Sequence, residues 1–446
     1  MELPQDFKER MRRQLGDSYP DFLAVYGQER VYGLRCNPLK ITKEKLTTAL
    51  YTYQIPLEAV PWAKEGFYYP AAAQPGKLPL HEAGAYYIQE PSAMIAAELL
   101  DAQPGETILD LCAAPGGKST QIAGQMQGRG LFVSNEIIPA RAKTLSRNIE
   151  RMGIVNAVVF NETPKHLSER FPVFFDRILV DAPCSGEGMF RKDVNARGEW
   201  SLQQVKLCAD RQREILSQAA GMLKPGGRLV YSTCTFSPEE NECMAEWFVQ
   251  NDPQFSLVKS EQILPHLMRG EGHYAACFQK EGTTKVSSSK EIIGIGTRAK
   301  TKSFTVADYK EVQRFCRETL SEKAADRILE HIENGCLAVF GDQLFLLPSG
   351  IGSLDGLKTE RAGLQLGSLR KNRFVPSHAL AMALHPEEGK QVLELKEPEQ
   401  YLRGETTACG SCKGWTLATV EGCSIGWGKA SQGILKNHYP KGLRRG

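Results

Sequence analysis

Two cysteines stand in turn-like settings just after apolar runs. Cys184 lies in Asp181–Gly188, DAPCSGEG, and Cys234 lies in Tyr231–Glu242, YSTCTFSPEENE. A free cysteine is ordinarily a small buried hydrophobe among apolar neighbours. Pro, Ser, Gly and Thr flank these two instead, a setting that suits a reactive thiol. A third stretch, Leu109–Thr120, LDLCAAPGGKST, reads as a strand, a small-residue turn and a helix start. Gly116 and Gly117 would let backbone approach a ligand closely, and helix N-terminal N–H groups can bind a carboxylate. The stretch is neither the G-x-G-x-x-G fingerprint nor the G-x-x-x-x-G-K-[ST] loop, so NAD and ATP fit it poorly. Glu136 closes the next apolar run, where an acid can accept both hydroxyls of a ribose. Lys118 near the thiols would lower a thiolate pKa, and Asp181 could hydrogen-bond a group on which charge develops. Taken singly these have plainer readings: a helix-entry acid, a solvated lysine and a turn cap.

These residues need a frame. From about residue 106 to 250, ETILDL, GLFVSNE, AVVF, DRILVDAP and GRLVYSTC read as strands bounded by Gly, Pro, Asn or Asp. Between them STQIAGQM, PARAKTLSRNIERMG and LQQVKLCADRQREILSQAAGML carry apolar residues at helical spacing. That alternation predicts an α/β fold, a mostly parallel, doubly wound sheet with ligands at the carboxyl ends of its strands. Residues 1–90 have the composition of a small α/β module, residues 91–280 form the sheet domain, and polar, aperiodic 281–303 reads as a linker. Residues 304–446 open with a helix, VADYKEVQRFCRETL, and continue into short strands such as LAVFGDQLFLL and GWTLATVEGCSIGWG.

The three motifs, in this order and spacing, resemble those of the NOL1/NOP2/Sun family of RNA cytosine-5 methyltransferases, and specifically its bacterial RsmF-like 16S rRNA branch. The likeness extends upstream through YYIQEPSAM. It also reaches GWGKASQGILKNHYPKGLR, which is similar to the branch's terminal, PUA-related RNA-binding module. The resemblance implies a Rossmann-like methyltransferase sheet between an N-terminal RNA-binding-type module and a C-terminal α+β, PUA-like region. It implies S-adenosyl-L-methionine held by Cys112, Ala113, Ala114, Pro115, Gly116, Gly117 and Lys118, with Glu136 on the ribose and Asp181 near the methionine end. Where relatives place an aspartate beside the adenine, this chain has Thr163, in FNETP; Asn161 or a backbone group is the alternative contact. The implied reaction is methylation of cytidine carbon 5 in ribosomal RNA of the small subunit.

That carbon is a poor nucleophile. A thiolate adding to carbon 6 makes it electron-rich enough to take a methyl group, and a base must then remove the carbon-5 proton so that the thiolate can leave. Two thiols match these two tasks. The residues do not order them, since DNA cytosine methyltransferases attack with a Pro-Cys thiol, which would favour Cys184. The family resemblance assigns attack to Cys234 and release to Cys184, with Asp181 and Lys118 completing the set. A ribosome-assembly factor that kept the fold without catalysis is the competing class, and the intact quartet argues against it.

Bulk properties agree with a multidomain chain. At 446 residues it exceeds one ordinary core, and it carries 55 Lys and Arg against 52 Asp and Glu, a net charge of +3. No run approaches the roughly 20 apolar residues of a membrane span, and the charged N-terminus lacks a signal-peptide core, so a cytoplasmic monomer acting on ribosomal RNA or the small subunit is expected. Basic clusters occur at KERMRRQ and at Lys436, Lys441, Arg444 and Arg445. Cys409, Cys412 and Cys423 invite a zinc reading with His438 as a fourth ligand. Ordinary thiols are the preferred reading, and no metal is expected.

Overall fold

The computed structural model describes residues 3–283, 304–370 and 373–445. The expected linker at 281–303 falls outside these from residue 284 onward. Eight strands form the central sheet: β1 (Thr107–Asp110), β2 (Leu131–Asn135), β3 (Ala157–Phe160), β4 (Phe175–Asp181), β5 (Leu223–Thr233), β6 (Phe255–Ile263), β7 (His273–Lys280) and β8 (Thr359–Ala362). Their spatial order is β6-β7-β5-β4-β1-β2-β3-β8. Strands β1 to β5 run parallel, while β6, β7 and β8 join antiparallel. The five parallel strands are the five expected runs. They read as nearly unbroken hydrophobic segments because both faces of the sheet are covered. Leu109, Val133, Val158, Ile178 and Leu229 fill the core on one face, and Ile108, Phe132, Val159, Leu179 and Val230 fill the other. Neighbouring side chains on a strand point to opposite faces, so adjacent residues serve different cores.

Three crossing helices matter for the site. α1 (Gly117–Met126) follows β1, α2 (Pro139–Arg151) follows β2, and α4 (Leu202–Met222) precedes β5; a short α3 (Pro164–Arg170) follows β3. Pro139 at the first position pre-sets the turn of α2, and Ala142, Leu145 and Ile149 form its buried stripe. Ser201 caps α4, its side chain accepting from Gln204 N at 3.1 Å. The order of the strands reverses between β1 and β4. Cofactors of doubly wound sheets bind at that reversal.

An antiparallel four-stranded sheet occupies the N-terminal module, in the order Glu58–Ala59, Gly66–Tyr68, Gly33–Cys36, Tyr86–Ile88. The C-terminal region holds helices Val306–Thr319 and Glu322–Glu333, a four-stranded meander, and a five-stranded sheet built around Gly414–Val420 and Cys423–Ser431. Two features depart from the expected layout. Strand β8, from the C-terminal region, completes the edge of the central sheet against β3. The N-terminal module and the last sheet also share one hydrophobic core, with Leu46, Leu50 and Tyr86 packed among Tyr401, Ile425 and Leu435.

Candidate active site

The three cysteine-bearing motifs around Cys112, Cys184 and Cys234, and Glu136, each follow the carboxyl end of a parallel strand. The β1–α1 turn brings Cys112 to the carboxyl edge of the sheet, β2 delivers Glu136, β4 delivers Asp181 and Cys184, and β5 delivers Cys234. An open cavity of about 1500 Å³ lies over that edge, and Cys112, Ala114, Glu136, Thr163, Asp181, Cys184 and Cys234 line it.

The turn that begins the site is held from behind by α2. Arg141 donates to the Ala114 carbonyl at 2.7 Å, and Asn148 donates to that of Pro115 at 2.8 Å. Ala113 is buried, its N–H on the Asn135 carbonyl at 2.8 Å. Gly116 takes φ +115°, a conformation that favours glycine, and a Cβ there would also press to 3.1 Å on Leu145 Cδ1 of α2. Gly117 and Lys118 begin α1. Glu136 is almost fully buried; one carboxylate oxygen accepts from Ile138 N at 2.9 Å and the other lies 3.3 Å from Arg141.

Lys118 Nζ meets Asp181 Oδ2 at 2.8 Å, and Ser232 donates to Asp181 Oδ1 at 2.8 Å. Burial would push the Asp181 carboxyl up, but the Lys118 ammonium holds it below its ordinary range. Burial likewise works against the charge on Lys118, and Asp181 outweighs it, so the ammonium is stabilised, with Cys234 adding to the effect. His273, which sequence reasoning missed, places Nε2 3.9 Å from Asp181 Oδ1. Burial pushes its pKa down to about 3, so this ring is neutral.

The two thiols are neighbours, with Sγ to Sγ 3.3 Å, and Cys234 N–H donates to Cys184 Sγ at 3.3 Å. The hydrogen bond with Cys234, reinforced by burial, pushes the Cys184 thiol well up. Several ties join the two turns. Ser185 and Thr235 hydroxyls pair at 2.8 Å, Gly188 N–H donates to the Cys234 carbonyl at 2.8 Å, and Phe236 N–H donates to the Glu187 carboxylate at 3.0 Å. Glu187 is fully buried and also receives Arg10, from the N-terminal helix Gln5–Leu15, and Trp200 Nε1. A Cβ on Gly188 would lie 2.8 Å from the Gly272 carbonyl and 3.0 Å from that of Cys234, so the turns touch backbone to backbone.

The other expectations are placed less centrally. Thr163 faces the cavity while its hydroxyl caps α3, accepting from His166 N at 3.2 Å. Asn161 spends its side-chain amide on the Glu136 carbonyl at 2.7 Å. Cys423 Sγ faces the Lys40 carbonyl at 3.8 Å, and among the described residues no three His, Cys, Asp or Glu side chains are grouped as a metal site would require.

Known proteins share both this layout and its sequence. The model of the 16S rRNA methyltransferase RsmB/F family matches residues 97–279. Models of the RsmF N-terminal domain, first C-terminal domain and PUA domain match 3–91, 314–384 and 390–445. Ribosomal RNA small subunit methyltransferase F of Shigella boydii is 31% identical, over 99% of this chain and 96% of the relative. That of Shewanella amazonensis is 30% identical, over 96% and 95%. The chain belongs to the RsmB/F family. A methyltransferase homolog protein from Pyrococcus horikoshii is 28% identical with a TM-score of 0.57, covering 62% of this chain and 95% of that one. NSun6 from Pyrococcus horikoshii with SFG, at 22% identity and a TM-score of 0.57, shares the fold over 63% of this chain and 99% of that one. The expected Rossmann-like sheet and C-terminal PUA module are therefore both present.

S-adenosylmethionine is the cofactor of this class, and the residues present fit it. A carboxylate offers about four acceptor sites, so Glu136 retains room for ribose hydroxyls beside its two existing partners. The exposed side chains of Ile137 and Ile138 add apolar surface to the same wall, as an adenine requires.

Proposed function

We propose that this protein methylates carbon 5 of cytidine in 16S ribosomal RNA, through a covalent bond between Cys234 and carbon 6. The observation that carries the reading is the pair of thiols 3.3 Å apart, beside the Lys118–Asp181 ion pair and on the wall of one cavity. S-adenosylmethionine, when bound, supplies an electrophilic methyl group. Cys234 adds to carbon 6 as the thiolate. Asp181, kept ionised, accepts a hydrogen bond from the exocyclic amine as the ring gains electron density.

Cys184 is kept protonated mainly by its contact with Cys234. Once the Cys234 sulfur is bonded to carbon 6, that contact no longer favours the thiol. Cys184 then loses its proton to solvent and takes the proton from carbon 5, and the Cys234–carbon 6 bond breaks. The terminal modules, residues 1–90 and 304–446, serve as RNA-binding surfaces around the catalytic domain 91–280, in a cytoplasmic monomer. Among the described residues no helix is long and apolar enough to cross a membrane.

Labelled S-adenosylmethionine with unmodified 16S rRNA or small subunits tests the reading. Label should appear in cytidine, at a position that resists bisulfite deamination. Label on a ribose or on a base nitrogen contradicts it.

A further inference from the structure

Cys184 is held from both sides by side chains that the mechanism does not use. The Pro183 carbonyl before it accepts from Gln212 Nε2 at 3.0 Å, and the Ser185 N–H after it donates to Glu240 Oε2 at 3.0 Å. The two holders are bonded to each other, Gln212 Nε2 donating to the same Glu240 Oε2 at 2.8 Å. Both are fully buried. Gln212 is the polar member of the buried stripe of α4, whereas Glu240 lies in the turn beyond Cys234. The Glu240 carbonyl accepts the Tyr231 hydroxyl at 2.7 Å, which anchors the pair to the strand that carries Cys234. Glu240 Oε1 and Gln212 Oε1 have no partner. A buried polar atom left unpaired costs stability, so this pair is not an efficient way to fill a core.

Resting on the assignment of Cys184 to release, we infer that Glu240 and Gln212 form a positioning brace that fixes the Cys184 backbone against the Cys234 turn and so governs release of the methylated RNA. Neither residue needs to touch the substrate. Proton removal from carbon 5 requires the Cys184 sulfur within close reach, and a misplacement of about 1 Å can cost about 10²-fold in rate. Cys234 has supports of its own: the Thr233 hydroxyl donates to Asn241 Oδ1 at 2.6 Å, and Asn241 Nδ2 donates to the Thr235 carbonyl at 3.0 Å. Loss of the brace therefore spares attack and methyl transfer and slows the step that follows.

The test uses full-length Glu240→Ala, Gln212→Ala and Glu240→Gln proteins with S-adenosylmethionine and unmodified 16S rRNA, alongside Cys184→Ala and Cys234→Ala. Steady-state methylation by the two brace-breaking variants should fall by about 10²-fold. The first turnover should be much less affected, and a denaturant-resistant, cofactor-dependent protein–RNA adduct should accumulate. Glu240→Gln should restore turnover, because a single oxygen accepts both brace bonds and glutamine retains one. Should Glu240→Ala not fold, Gln212→Ala carries the same expectation. A folded brace variant without adduct, while Cys184→Ala traps RNA, overturns the brace alone, as does a Glu240→Gln protein as slow as Glu240→Ala. Adduct from Cys234→Ala and none from Cys184→Ala overturns the thiol assignment, and the brace with it.

Discussion

At the carboxyl ends of β4 and β5, a few oriented polar atoms decide what can happen: Ser232 and Lys118, each 2.8 Å from an Asp181 oxygen, and two sulfurs at 3.3 Å. Where the N-terminal module meets the last sheet, the joint is mostly apolar, Leu46, Leu50 and Tyr86 against Tyr401, Ile425 and Leu435. Its polar stitches reach far along the chain; Lys40 Nζ donates to the Ala83 carbonyl at 2.7 Å and to that of Ser424, 384 positions away, at 3.1 Å. The first region depends on direction and charge, the second on area removed from water. Changes at the reaction centre should therefore alter chemistry without loosening the molecule, and changes on the terminal sheet should alter RNA affinity without touching chemistry.

The sharpest separation is expected at the ion pair. Asp181→Asn and Lys118→Ala should each lower single-turnover methyl transfer by about 10²- to 10³-fold, as loss of an oriented electrostatic group does. RNA affinity, measured by filter binding, should stay close to wild type. A parallel loss of both would erase the contrast. Glu136→Ala acts one step earlier. With about 1.5–3 kcal/mol of charge-assisted hydrogen bonding removed, cofactor Kd by calorimetry should rise roughly tenfold or more, with the melting temperature retained.

On the terminal sheet, Lys429 stands directly opposite Lys436, an arrangement of like charges that costs stability, and its ammonium lies 5.6 Å from the centre of the Trp415 ring. Replacing both lysines with Ala should weaken RNA binding and reduce its log-log salt slope by about one for each phosphate no longer neutralised, leaving cofactor affinity unchanged. Truncation at residue 304 is the poorer probe, because it removes β8 from the central sheet. The smallest effect concerns stability. Burial raises the Glu240 carboxyl from about 4.5 to about 7, so the folded protein keeps a proton that the unfolded chain has released. The stability linked to that proton is complete below about pH 4.5 and is lost as pH rises through about 7. The melting temperature of Glu240→Gln minus that of wild type should therefore grow across that window and level off above it; a flat difference would show Glu240 ionised throughout.

The same contrast explains what could be read from the sequence. The parallel strands and the turns after them are local: Leu109–Thr120 carries its own strand, glycines and helix start, and both cysteines announce themselves by their Pro, Ser and Thr neighbours. Strand β8 is four residues, Thr359–Ala362, of mixed polarity at a sheet edge, and its partner β3 lies far upstream. No period or turn signal reveals such a pairing. Gln212 was hidden differently. It occupies a helical stripe of apolar residues, where a lone polar residue has no visible destination until Pro183 and Glu240 are folded against it. His273 begins an apolar strand and meets Asp181 only through the antiparallel addition of β7. The candidate site residues were legible from their neighbours in sequence, and the residues that hold them were not.

The central claim is the division of labour between two cysteines whose replacement by alanine removes the same atoms. Cys184→Ala and Cys234→Ala should be incubated with labelled, unmodified 16S rRNA and S-adenosylmethionine and resolved on a denaturing gel. A shifted, cofactor-dependent band is expected from Cys184→Ala, with none from Cys234→Ala and none from the double variant. A shifted band from Cys234→Ala, with none from Cys184→Ala, would contradict this division and give the attack to Cys184.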